Sequence, residues 1–156
     1  MIPLNTEVNP ARLCLAAVAP RGAGAAPQER DTQDVEARSL RVLIVEDEFY
    51  ISLHTRELLE ALGHVVVAVA VSADQAFSIA ERERPDVVLM DIRLVGERDG
   101  IDAAQEIAGR LGIGSIFVTA NTDPETRRRA DAVPPLGFLE KPLTVQRLRL
   151  GLQGVE

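Results

Sequence analysis

The sequence of 156 residues predicts a doubly wound α/β fold, in which a five-stranded parallel sheet carries helices on both faces. Five short and nearly all-apolar segments lie along the chain, as strands that are buried on both faces require. Stretches with a helical spacing of apolar residues separate these segments, so each strand is joined to the next by a helix. Residues typical of helix starts and ends stand at the boundaries.

The first part of this pattern contains two strands and two helices. Residues 41–45 are the first strand, and the helix that follows presents a leucine-rich face until Gly63 ends it. Residues 65–71 are a second, β-branched strand. Ser72 then starts a helix as the N-cap of a capping box, and Pro85 closes that helix.

The second part of the pattern adds three strands, predicted at residues 86–90, 115–118 and 136–140. A helix with an apolar stripe that begins at Ile101 lies between the first two. Asp123 and Pro124 mark the start of the fourth helix, because aspartate caps helices and proline suits the first helical position. The prolines at 134 and 135 stop it, and residues 143–152 predict the last helix.

Composition excludes several classes of protein. The chain has 17 basic and 24 acidic residues, which give a net charge of −7. Because phosphate groups attract basic surfaces, we expect no direct binding of nucleic acid and no membrane partner. The single cysteine, Cys14, cannot form an internal disulfide, and no Cys/His cluster offers a zinc site. From this cysteine content we expect a reduced, cytoplasmic protein. No apolar run reaches the roughly 18 residues of a membrane helix.

The pattern also divides the chain. Residues 1–39 are rich in alanine, proline and glycine, which is the composition of a linker, and we expect them to form a flexible N-terminal arm. The regular alternation of strands and helices starts at Leu40, so residues 40–156 are expected to form the folded domain.

Polar side chains follow four of the five predicted strands. They are Glu46, Asp47 and Glu48, then Asp91, then Thr119, and last Lys141, the only lysine in the sequence. Because the carboxyl ends of parallel strands meet at one edge of a sheet, we expect these side chains to lie close together. Crowded carboxylates are costly without a cation, and Mg²⁺ prefers such oxygen ligands. A hydroxyl and an ammonium beside them suit a transferred phosphoryl group.

Four segments resemble the motifs of the response-regulator receiver domains of two-component signalling. They are Val45-Glu46-Asp47-Glu48, Leu89-Met90-Asp91, Val118-Thr119-Ala120 and Phe138-Leu139-Glu140-Lys141-Pro142. The resemblance covers about residues 40–152. It implies a flavodoxin-like sheet with the strand order 2-1-3-4-5 and a cis bond between Lys141 and Pro142.

The resemblance also implies a role for each acidic residue. Asp91 is expected to accept a phosphoryl group from a sensor histidine kinase or a phosphotransfer protein. Asp47 is expected to bind Mg²⁺ directly, and Glu46, where the family more often has aspartate, partly through water. Asp91 itself and the backbone carbonyl of Arg93 would complete the protein ligands of the metal.

Three other residues carry the expected switch. Thr119 would move to bond the phosphoryl group, and Lys141 would pair with its charge. Phe138 stands at the position of the aromatic switch residue, although simple core packing explains this phenylalanine equally well. The resemblance places the output on the face formed by the fourth helix, fifth strand and fifth helix, which would act on a partner or form a weak homodimer.

Two alternatives remain beside this interpretation. A phosphatase of the haloacid-dehalogenase type shares the fold, Mg²⁺ and the aspartyl phosphate, but it needs a second aspartate two residues after the nucleophile, where this chain has Arg93. A receiver-like module that is never phosphorylated would have no need of Asp47, Asp91 and Lys141. We therefore expect a stand-alone receiver that catalyses only its own phosphotransfer and dephosphorylation and is not otherwise an enzyme.

Overall fold

The computed structural model describes residues 38–120 and 123–155, so the expectation of a flexible arm over residues 1–39 lies, but for its last two residues, outside the described part. Strands and helices alternate as predicted, and the strand bounds differ from the prediction by one residue at most. The elements are β1 (Arg41–Val45), α1 (Phe49–Ala61), β2 (Val65–Ala70), α2 (Ala73–Glu83), β3 (Val87–Asp91), α3 (Gly100–Leu111), β4 (Ser115–Thr119), α4 (Pro124–Ala132), β5 (Gly137–Glu140) and α5 (Val145–Leu152).

The sheet has the order β2-β1-β3-β4-β5, and every pair of neighbours is parallel. This order confirms the 2-1-3-4-5 topology that the resemblance implies. In the register, Val45 pairs with Met90, and Asp91 pairs with Val118. The residues that follow β1, end β3 and end β4 therefore lie level with one another at the carboxyl edge of the sheet.

The strands bury side chains on both faces, as their apolar sequences predict. Along β1, Leu43 and Val45 join a core beneath α2, α3 and α4, while Val42 and Ile44 join a second core beneath α1 and α5. Each fully buried side chain of this size contributes about 1.5–3 kcal/mol. Two packed cores thus hold the strand ends in a fixed arrangement.

Four helices begin at residues whose side chains accept hydrogen bonds from the first turn: Ser72, Asp99, Asp123 and Thr144. Such caps contribute about 1 kcal/mol each. The sequence predicted the caps at Ser72 and Asp123 but missed those at Thr144 and at Asp99, of which Asp99 forms a capping box with Asp102. Among the described residues, no helix has the length and apolar character needed to cross a bilayer.

The start of α3 lies directly against the backbone of the third strand. The Gly100 N–H donates to the carbonyl of Ile92 at 3.0 Å, and a Cβ placed on Gly100 would lie 1.8 Å from the carbonyl oxygen of Asp91. No side chain fits in that space unless one of the two backbones shifts. Glycine at position 100 is therefore a packing requirement that fixes the distance between α3 and the end of β3.

This contact predicts opposite effects for two substitutions in the same helix. Gly100→Ala should lower the free energy of unfolding by about 1–3 kcal/mol, because the backbone has to move. Gly109→Ala is the matched control, since its Cβ would meet no atom within 4 Å. It should raise the free energy of unfolding by about 0.5–1 kcal/mol, because alanine favours a helix interior. Urea denaturation measures both, and a Gly100→Ala variant as stable as wild type would contradict the constraint.

Candidate functional site

Three carboxylates meet at the carboxyl edge of the sheet. Glu46 and Asp47 follow β1, Asp91 ends the neighbouring strand β3, and one oxygen from each lies within 4.8 Å of the others. Glu46 and Asp91 are buried, with 4% and 6% of their surfaces exposed, while Asp47 is half-buried. The exposed side chain of Glu48 stays outside this group, which we call the acidic cluster.

Lys141 follows the edge strand β5, and its side chain extends into the acidic cluster. Its backbone N–H donates to the carbonyl of Thr119 at 2.8 Å, and the Lys141–Pro142 bond is cis, as the resemblance implies. The Nζ atom donates to Glu46 Oε2 at 2.7 Å and to Asp91 Oδ2 at 3.0 Å. One ammonium thus joins a carboxylate that follows β1 to a carboxylate at the end of β3.

The ionisation of this group reflects both burial and pairing. Burial raises the pKa of Glu46, and the charge of Asp91 adds to the effect, although the hydrogen bond from Lys141 opposes it. Burial by itself would lower the pKa of Lys141, but its hydrogen bonds to the two carboxylates outweigh burial and raise it. When all four groups are ionised, three carboxylates and one ammonium leave two negative charges unbalanced.

A divalent cation fits this arrangement. All the side-chain atoms of the acidic cluster that could bind a metal are carboxylate oxygens, which Mg²⁺ prefers. A divalent ion would also balance the two remaining negative charges. Backbone groups hold two of these carboxylates in place, because the N–H of Glu48 donates to Glu46 Oε1 at 3.2 Å and that of Arg93 donates to Asp91 Oδ1 at 3.0 Å. The Arg93 side chain itself is exposed.

The two residues expected to act as a switch lie on neighbouring strands. Thr119 ends β4, where it is half-buried and follows the residue that pairs with Asp91. Phe138 on β5 pairs with Phe117, and the centroids of the two rings are 5.5 Å apart. Because alternate residues of a strand share a face, Phe117 and Thr119 point to the same side. Phe138 therefore lies on the strand next to Thr119, beside the residue two positions before it on β4.

A cavity of about 590 Å³ opens beside Asp91. Side chains of α1 form one wall, among them Tyr50 and His54, and the loop after β5 contributes Pro142. Lys141 and Thr119 also line it. The volume is in the range of small-ligand pockets, so the cavity is large enough to admit a side chain of another protein to Asp91.

Sequence reasoning placed the site residues at the correct edge but missed some of their contacts. It did not predict that Lys141 binds Glu46 as well as Asp91, nor that Gly100 lies against the backbone of Asp91. The position of a glycine immediately after the N-cap Asp99 was an available signal for the second contact. The contact of Lys141 with Glu46 depends on the direction of a long side chain at the edge of the sheet, and no local sequence pattern indicates that direction.

Comparison with known proteins decides the family. Residues 42–153 match the response regulator receiver domain. The chain belongs to this family. Receiver domains are signalling modules and not enzymes in the usual sense. The family match therefore favours a receiver over the phosphatase of the haloacid-dehalogenase type.

Curated proteins with similar sequences include two bacterial regulators. The chain is 36% identical over 108 residues to the transcriptional regulatory protein PdtaR of Mycobacterium tuberculosis, covering 69% of this chain and 52% of PdtaR. It is 34% identical over 120 residues to the phyllosphere-induced regulator PhyR of Methylorubrum extorquens, covering 72% and 44%. The chain thus spans about half the length of these relatives.

Solved receiver structures share the fold. The signal receiver domain of a modulated diguanylate cyclase from Desulfovibrio desulfuricans superposes with a TM-score of 0.72 at 36% identity, covering 76% of this chain and 94% of that domain. The response regulator PhyR from Brucella abortus gives 0.66 at 32% identity, covering 76% and 48%. These matches agree with the strand order described above.

The acidic cluster predicts how Mg²⁺ binding and stability change together. Asp47→Asn should weaken Mg²⁺ binding about tenfold or more, since it removes one of the three carboxylates of the acidic cluster. The same substitution should stabilise the metal-free protein by about 1 kcal/mol, because it relieves repulsion among three carboxylates. Calorimetric titration with Mg²⁺ and urea denaturation in a chelator measure the two effects.

The matched control for this test is Glu48→Gln, which removes the adjacent exposed carboxylate. Its Mg²⁺ affinity and its stability should stay close to the wild-type values. Equal affinity in wild type and Asp47→Asn would remove Asp47 from the ligand set.

Proposed function

We propose that the chain is a phosphorylation-controlled signalling receiver in which Asp91 accepts a phosphoryl group from the phosphohistidine of a sensor kinase or phosphotransfer protein. One observation carries the proposal: the Asp91 carboxylate faces an open cavity, lies within 3.0 Å of an ammonium, and shares the edge of the sheet with two further carboxylates. An acidic, cation-binding edge with one lysine is what an aspartate nucleophile needs when it meets a phosphate.

The metal would be held by the acidic cluster. Asp47 and Asp91 are proposed as direct ligands, with the backbone carbonyl of Arg93, and Glu46 as a partner acting partly through water. When bound, Mg²⁺ supplies charge neutralisation and orients the transferring oxygens. The half-buried carboxylate of Asp47 is the most exposed of the three and offers the cation a point of entry.

The transfer step forms one bond and breaks one. A carboxylate oxygen of Asp91 attacks the phosphorus, the bond from phosphorus to the histidine nitrogen breaks, and its electron pair stays on that nitrogen. The product is an acyl phosphate on Asp91. Lys141 already donates to Asp91 Oδ2, so its ammonium is positioned to bind the arriving negative charge. The Thr119 hydroxyl would donate to a second phosphoryl oxygen.

The acyl phosphate would then change the packing of the domain. A Thr119 drawn toward the phosphoryl group vacates space on the face that it shares with Phe117. Phe138, whose ring contacts Phe117, is the neighbouring side chain that can turn into this space. We propose that this exchange alters the surface formed by α4, β5 and α5, and that this surface is the output.

The charges on that surface suit a weak self-association. Arg127 pairs with Asp131 at 3.2 Å and Arg147 with Glu140 at 3.7 Å, so a dimer through this surface would exchange pairs that already exist within one chain. Exposed pairs contribute about 0.2–1 kcal/mol each. A homodimer held this way is therefore expected to be weak and sensitive to salt.

The phosphoacceptor is tested by a mass measurement. Wild type incubated with phosphoramidate and Mg²⁺ should gain the mass of one phosphoryl group. Asp91→Asn should gain none, because an amide oxygen is not nucleophilic enough. Glu97→Gln, which alters an exposed carboxylate of the following loop, should behave as wild type. A phosphorylated Asp91→Asn variant would refute the assignment.

The output surface is tested by sedimentation at several concentrations. Association should be tighter with beryllofluoride and Mg²⁺ than without them, and it should weaken as salt is added. Identical association constants in both states would remove the homodimer from the proposal and leave a different partner protein as the target.

A further inference from the structure

Helix α4 is attached to the domain by arginine side chains as much as by apolar packing. Its sequence buries only Ala130 among its nine residues. Arg129 donates to Asp99 at 2.8 Å and to Asp102 at 3.3 Å, which ties α4 to the first turn of α3. Arg127 makes the other attachment, to the ring of Phe138. Beside the packing of Ala130, two guanidinium groups therefore link α4 to α3 and to β5.

The guanidinium of Arg127 lies over the Phe138 ring. Its central carbon lies 3.7 Å from the ring centroid, and its Nε donates to Asp131 one turn further along the helix at 3.2 Å. The Arg127 side chain is 51% exposed, so the guanidinium stays at the surface. Asp131 thus gives the guanidinium a second partner at the surface, beside the ring.

The same ring also packs against the core. Phe117 is fully buried, and its ring meets that of Phe138 at an angle of 34°. Phe138 itself is half-buried. The ring therefore contacts a buried phenylalanine and a surface cation at once, and turning it deeper into the core would move it away from the cation.

We propose that Arg127 is a positioning residue that holds Phe138 in this half-buried place and so opposes the switch. The inference rests on the proposed function, in which Phe138 turns inward after Thr119 moves. Because Asp131 keeps the guanidinium at the surface, the cation–π contact is lost when the ring moves in. The contact favours the unswitched state, and its removal favours the switched one.

Binding of a phosphate mimic measures this effect. Beryllofluoride with Mg²⁺ selects the switched state, so Arg127→Ala should bind it about two- to fivefold more tightly than wild type, as a contact worth ~0.5–1 kcal/mol implies. Simple damage to the packing of α4 would instead weaken binding. Calorimetric titration in excess fluoride and Mg²⁺ gives the affinities.

Two further variants make the test specific. Arg128→Ala changes the neighbouring exposed arginine, whose Nε contacts only the Pro124 carbonyl among the hydrogen bonds described, and it should bind as wild type. In a Phe138→Leu background, Arg127→Ala should have no additional effect, because the aromatic partner is gone. This double-mutant cycle separates the contact from a general effect of charge.

The outcomes distinguish the inference from the function on which it rests. Tighter binding by Arg127→Ala that disappears in the Phe138→Leu background supports it. Wild-type or weaker binding by Arg127→Ala, or an increase that persists without the ring, overturns it while the receiver function stands. Failure of wild type to bind beryllofluoride would overturn the proposed function, and with it the switch that Arg127 opposes.

Discussion

The two buried carboxylates at the carboxyl edge of the sheet share one ammonium group as their ion-pair partner. Glu46 and Asp91 are both buried, and a buried carboxylate without a partner costs several kcal/mol. Lys141 binds both from the loop after β5, although β4 separates β5 from β3 and both separate it from β1, because the side chains meet at the carboxyl edge. This ammonium balances only one of the three carboxylate charges of the acidic cluster. Two negative charges remain, and a bound divalent cation would neutralise them.

The sequence predicted those features that are local. Strand β1 and the cap at Ser72 follow from patterns only a few residues long, and the structure has both where they were expected. The start of α5 was wrong by two residues, because Leu143 is a buried loop residue and Thr144 is the cap. Strand order is not local, since pairing joins distant segments. The order came from the resemblance to receiver domains and not from periodicity.

The candidate site divides in the same way. Parallel strands place their following residues at one edge, so Asp47, Asp91 and Lys141 could be brought together from the sequence alone. The contact of Arg127 with Phe138 could not, because it requires the orientation of α4 against β5. The three consecutive arginines at 127–129 look alike in the sequence as a charged helix face. In the structure one covers an aromatic ring, one contacts the backbone of its own helix, and one binds the first turn of α3.

The close approach of Gly100 to Asp91 has a consequence for how this chain can change in evolution. The loop between them starts and ends at the same point, because the Gly100 N–H returns to the carbonyl of Ile92. Its middle extends into solvent, where Val95 is 77% exposed. Lengthening a loop that is closed in this way costs only about 0.6 kcal/mol per doubling. Insertions after Val95 would therefore cost little stability and leave the contacts of Asp91 with Gly100 and with the Arg93 N–H in place, so new contacts can arise there beside the site.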